Sequence, residues 1–176
     1  MKKLLLVVDF QKDFVDGALG FTGAENLEEP ILDKIREYRN NDDIVAFTFD
    51  THEPNYLETQ EGRNLPVVHC VEGTQGWQLY GNVKNMIKEE DPCFFKPGFG
   101  SLELVDYLES NLGQIESVEL VGLVSNICII TNAILVKTAL PEVEVTVDSR
   151  CTDSFDPELN KAALTVMKGL QIKIIE

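Results

Sequence analysis

Continuous apolar runs, rather than alternating ones, set the rhythm of this chain. Leu4-Leu5-Leu6-Val7-Val8 and Val118 to Val121 read as strands covered on both faces, the pattern of central parallel strands. Ile44 to Phe49, Pro92 to Phe95 and Val143 to Val147 are further strand candidates, and Leu170 to Ile175 closes the chain. Between them, apolar residues recur at helical spacing. Ile31, Leu32, Ile35 and Tyr38 predict a helix over about 27–39, and Leu102, Val105, Leu108 and Leu112 predict a second. Ile127, Ile130, Ile134 and Leu135 predict a third from about Asn126 to Ala139, and Leu159, Ala162, Ala163, Val166 and Met167 a fourth. Strand and helix alternate throughout. That predicts one α/β domain over residues 1–176: a three-layer, doubly wound (Rossmann-like), mostly parallel six-stranded sheet with helices on both faces. One stretch breaks the rhythm. Asp50 to about Gly76 is polar and dotted with Pro, Gly and Asn, and a loop of that length in a compact domain is usually functional.

Composition narrows the function classes. Thirty acidic against fifteen basic residues give a formal charge of −15, which argues against nucleic acid or an anionic membrane as partner. The Met1-Lys2-Lys3 start runs into an apolar stretch, but Asp9 ends it too soon for a secretory signal, and no run approaches a membrane span. The four cysteines, at 70, 93, 128 and 151, have no short paired spacing and read as reduced thiols of a cytoplasmic protein. Lys96-Pro97-Gly98-Phe99-Gly100 lacks the spacing of a phosphate-binding loop.

In doubly wound sheets, ligands bind beyond the carboxyl ends of the strands. Asp9, Asp50, Lys96 and Cys128 each fall at that end of a predicted strand. Cys128 would sit in the first turn of the helix after its strand, where free N–H groups and the helix dipole favour a thiolate. A buried cysteine packing as a small hydrophobe is the rival reading. Asp50 and His52 are two apart in an extended segment, so their side chains share a side. His69, the second of only two histidines, follows in the same polar stretch, and such carboxylate and imidazole donors suit Zn, Mn or Fe.

Four separated motifs resemble the isochorismatase-like cysteine hydrolase family, and within it the nicotinamidases: Val8 to Phe14, Phe49-Asp50-Thr51-His52 with Pro66 to Cys70, Phe95 to Ser101, and Gly122 to Cys128. The resemblance implies Asp9 as general base, Lys96 as the catalytic lysine and Cys128 as nucleophile, with the backbone N–H groups of Val124 and Cys128 as oxyanion hole. It also implies a divalent metal, Zn foremost, on Asp50, His52 and His69 with Glu61 as a fourth ligand, and Phe14 stacking on the substrate ring. A cis peptide at Val124–Ser125, a homo-oligomer and a small-molecule amide substrate complete what it implies. Two positions depart from the family pattern. Ser125-Asn126 stands where Thr-Asp is common, and Pro66 stands where nicotinamidases carry a second stacking aromatic. Nicotinamide hydrolysis, hydrolysis of another small amide, carbamoyl compound or isochorismate-like substrate, and ligand binding without catalysis therefore all remain open here.

Overall fold

In the computed structural model, which describes residues 1–176, β1 (Lys2–Val8) lies inside a six-stranded sheet of order β3-β2-β1-β4-β5-β6. The other strands are β2 (Ile44–Asp50), β3 (Cys93–Lys96), β4 (Ile115–Leu123), β5 (Glu144–Asp153) and β6 (Lys173–Ile175). Every neighbouring pair is parallel, so "mostly parallel" becomes wholly parallel. The helices are α1 (Lys12–Val15), α2 (Glu28–Asn40), α3 (Gln60–Asn64), α4 (Leu102–Ser110), α5 (Ile130–Ala139) and α6 (Pro157–Gly169). One apolar layer joins the sheet to α4, α5 and α6 through Leu104, Leu108, Ala133, Val136, Ala163 and Met167. The other joins it to α2 through Ile31, Leu32, Ile35 and Tyr38. Leu4 to Val8 are wholly buried, as their unbroken apolar run requires.

Boundaries differ where local chemistry overrides periodicity. The Ser101 and Asp156 side chains cap α4 and α6, accepting N–H groups of the first turns. Leu112, expected on the face of α4, lies past its end and is exposed. The helix expected to begin at Asn126 starts as one π-helical turn, Ser125–Ile129, before α5. The 50–76 stretch contains α3 and a short 3-10 turn, Tyr56–Glu58.

β1 and β4 meet where the strand order reverses, and their backbones run unusually close. Gly122 pairs with Val8 at φ +114°, and a Cβ there would collide with the Val8 carbonyl oxygen. Only glycine satisfies both demands.

A buried charge network pins α2 to the sheet on the face away from Cys128. Lys34 Nζ reaches Glu119 at 2.7 Å and Asp148 at 3.2 Å, Tyr38 donates to Glu119 at 2.7 Å, and Arg150 grips Asp148 through two nitrogens. Burial pushes the Asp148 carboxyl up, but Arg150 and Lys34 outweigh it and hold the group below its ordinary value. A carboxylate lowered in the native state stabilises the fold above its unfolded pKa and loses that contribution as pH falls through the native value. Asp148→Asn should therefore lower unfolding free energy on the order of 2 kcal/mol at neutral pH and flatten the acid limb below about pH 4. Urea titrations from pH 3 to 7 check it; an acid limb as steep as wild type's would refute the assignment.

Candidate active site

Four strand ends deliver the chemistry to one rim. β1 ends at Val8, and Asp9 turns out of the ladder in the left-handed region, φ +44°. That conformation, tolerated better by Asp than by most residues, aims a wholly buried carboxylate across the sheet edge. β3 ends in Lys96, itself 1% exposed. Its ammonium lies 2.6 Å from Asp9 Oδ2, 3.5 Å from Cys128 Sγ and 3.7 Å from Asp50 Oδ1, and donates to the Gly98 carbonyl at 3.0 Å. One ammonium thus joins the three groups proposed for acid–base, nucleophilic and metal chemistry. The Thr48 hydroxyl donates to the other Asp9 oxygen at 2.6 Å.

Cys128 lies in the π-helical turn after β4, and that turn is held from the side of α5. Asn132 donates to the Cys128 carbonyl and to that of Phe99, and accepts the Ser101 N–H. The Val124 N–H has no protein acceptor, while its carbonyl accepts from Ile127 and Ile129. The cis peptide bond is Leu123–Val124, one bond earlier than implied by resemblance.

The thiolate expected from the helix start requires correction. Burial, with the Asp9 and Asp50 carboxylates, pushes the Cys128 thiol well above its ordinary value, and Lys96 only partly offsets this. Asp9 is raised as well, by burial first and by the Asp50 charge, against the pull of Lys96. Side by side, then, stand a thiol and a carboxylate that are both shifted toward their protonated forms. Lys96 stays charged, because its three anionic or polarisable neighbours outweigh its own burial.

Asp50, His52 and His69 form a second cluster adjoining the first. Their donor atoms all lie within 4.8 Å of one another, and all three residues are buried. Both imidazole Nε2 atoms converge on Asp50 Oδ2, at 3.0 and 3.3 Å. His69 Nδ1 lies 2.7 Å from the Val67 carbonyl, which can only accept, so the ring proton sits there. With that proton on Nδ1, a neutral His69 turns its Nε2 lone pair toward a carboxylate oxygen, where either a second proton or a bound cation can bridge the two. Burial lowers His69, yet Asp50 and Val67 outweigh it and raise the group; the same pairings hold Asp50 below its ordinary value despite burial. Two donors on a tetrahedral zinc stand about 3.3–3.5 Å apart, close to the 3.0 and 3.3 Å between Asp50 and the two imidazoles. The residues fit a divalent metal.

Other expected site residues fall nearby. Glu61, on α3, brings its carboxylate to 3.9 Å from His52 Nε2, outside the three-donor cluster. Phe14 meets His69 edge-to-face with centroids 5.7 Å apart, and Pro66 is exposed. A cleft of about 740 Å³ opens beside the cluster, lined by His52, Tyr56, Glu61, Phe99 and Ile127 among others. Sequence reasoning overlooked Tyr56, wholly buried against both histidine rings at 4.6 and 4.9 Å, with its hydroxyl on the Leu65 carbonyl. It also overlooked Thr48 and Gln11. Polar residues at or just past the ends of apolar strands are the signal that could have found them.

A profile of the isochorismatase domain matches residues 3–176. The chain belongs to the isochorismatase family. It is 31% identical over 144 residues to the uncharacterized isochorismatase family protein PncA of Bacillus subtilis (strain 168), which covers 76% of this chain and 78% of that one. Among solved structures, the nicotinamidase/pyrazinamidase PncA from Bacillus subtilis is 25% identical, with a TM-score of 0.87 over 100% of both chains. The pyrazinamidase of Pyrococcus horikoshii in complex with zinc is 24% identical, with a TM-score of 0.86 over 100% of this chain and 99% of that one. As an isochorismatase-family protein the chain is a hydrolase, and no helix in it is long and apolar enough to cross a membrane.

Proposed function

We propose that this isochorismatase-family hydrolase is a cysteine-dependent amidohydrolase converting nicotinamide and water to nicotinate and ammonia. One observation carries the reading: Lys96 Nζ lies within 3.7 Å of Asp9, Cys128 and Asp50, so the nucleophile, its base and a metal-type cluster share one small volume. The chain's similarity to nicotinamidase/pyrazinamidase PncA supports the substrate class.

Cys128 Sγ attacks the amide carbonyl as Asp9 takes its proton, so that the thiolate exists only as the S–C bond forms. The unpartnered Val124 N–H and the Cys128 N–H receive the developing oxyanion. Asp9 then gives the proton to the amide nitrogen, the C–N bond breaks, and ammonia leaves a thioester. Water loses a proton to Asp9 and attacks that thioester; the C–S bond breaks, Asp9 returns the proton to sulfur, and the acid departs, releasing its own proton to solvent as nicotinate. Lys96 keeps the carboxylate ionised between these transfers. A divalent ion held by Asp50, His52 and His69, with Glu61 as proposed fourth ligand, would supply a Lewis acid for the ring nitrogen of the substrate. Phe14, beside His69, would line the ring's position.

Purified protein should release ammonia from nicotinamide, lose that activity in a strong chelator and regain it on adding back zinc. Turnover that persists in metal-free protein would exclude the metal's part; no turnover of nicotinamide by zinc-loaded protein would exclude the substrate.

A further inference from the structure

We infer that Gln11 is a positioning residue for Asp50, standing in for the rung of backbone ladder that β1 gives up when Asp9 turns away. Val8 opposite Thr48 is the last regular pair between β1 and β2, with the Asp9 N–H reaching the Thr48 carbonyl at 3.2 Å. Had β1 continued, the backbone of residues 9 and 11 would have served the N–H and carbonyl of Asp50. The side chain of Gln11 does both. Its Oε1 accepts the Asp50 N–H at 2.8 Å, and its Nε2 donates to the Asp50 carbonyl at 2.9 Å. The second Nε2 hydrogen goes to the Trp77 carbonyl at 2.8 Å.

Gln11 has no exposed surface, so no water can substitute for these three bonds. The frame it closes is wide. The Gln11–Leu79 bridge and the bonds from Lys12 N–H to Gln78 and Asp13 N–H to Gly76 bind the 70–80 segment to the same turn. Asp13 in turn accepts the Cys70 N–H, next to His69. The carboxamide thus fixes the Asp50 backbone while leaving its carboxylate free for His52, His69 and Lys96. Its neutrality matters, because Asp9 and Asp50 already crowd one ammonium.

This role rests on the metal reading proposed above, and the experiment separates the two. Zinc affinity, measured by competition with a chromophoric chelator, should fall about 10–100-fold in Gln11→Met, which removes all three bonds at similar volume. Gln11→Glu keeps the acceptor, loses the donations and adds a negative charge. It should also weaken zinc binding, whereas an effect of charge alone would strengthen it. Trp77, the sole tryptophan, reports folding by its fluorescence. Should Gln11→Met fail to fold, Gln11→Glu decides. Excess zinc should recover most of the turnover in a folded variant, which a merely structural role would not allow. Wild-type protein that binds zinc, beside folded variants of unchanged or increased affinity, overturns the role of Gln11 alone. Wild-type protein that binds no zinc overturns the metal reading and this inference with it.

Discussion

Cys128→Ala is expected to lower kcat for nicotinamide by about 10⁴- to 10⁶-fold, the scale of loss when a covalent nucleophile is removed. Neither of the other buried thiols can take over. Cys70 is wholly buried and pushed far up by burial and by Asp50, and Cys151 is pushed up to about 12. Cys128→Ser should be nearly as inactive, because Asp9 is far too weak a base for a serine hydroxyl. Zinc affinity should be unchanged in both, since Cys128 touches Lys96 rather than the three metal-type donors. Ammonia release measured beside zinc titration checks the pair of outcomes. Turnover within tenfold of wild type would refute Cys128 as nucleophile.

Lys96→Met should have the largest effect on the fold. The Lys96–Asp9 pair is almost completely buried, and removing one partner of such a pair costs about 3–5 kcal/mol because the other charge is stranded. For a chain of this size that corresponds to roughly 6–20 °C in Tm. The sign of its pH dependence follows from Asp9, already raised in the native state by burial. Without Lys96 the native pKa rises further. A group raised in the native state stabilises the fold below its unfolded pKa and loses that contribution as pH rises through the native value. The destabilisation should therefore be largest near neutrality and shrink on acidification, as Asp9 takes up a proton. Asp9→Asn added to Lys96→Met should restore much of the lost stability, because both buried charges are then gone. Activity should stay down by about 10²–10⁴-fold in either background, with Asp9 unable to act as base. Thermal unfolding from pH 4 to 8 provides the comparison, and a Tm loss independent of pH would contradict the account.

Neutral rather than ionised Cys128 has a general cause. A helix start and a nearby lysine lower a thiol only when water or positive charge dominates its surroundings. Here the same lysine is shared with Asp9 and Asp50, and Cys128 is 5% exposed. Burial together with the Asp9 and Asp50 carboxylates favours the protonated thiol. In the mechanism proposed above, this places the proton shift to Asp9 within the attack itself.

Much of this was legible from the chain alone. Unbroken apolar runs such as Leu4 to Val8 can only be strands buried on both faces, and alternation with amphipathic helices leaves few topologies. Asp9, Asp50 and Lys96, each one step beyond an apolar run, and Cys128, in the turn that follows another, had to arrive at the same sheet edge. What stayed hidden was whatever depends on distances between segments remote in sequence. The Gln11 carboxamide filling a rung against Asp50, Tyr56 wedged on two imidazoles, and Glu61 set back from the three donors all arise from how the 50–80 segment folds over the rim. No periodicity governs such a segment. Hydrophobic pattern, a local property, determined the sheet and the side of it that carries chemistry. The pull on each titratable group and the convergence of Asp50, His52 and His69 are sums over neighbours brought in by the fold, so only the tertiary structure decided them.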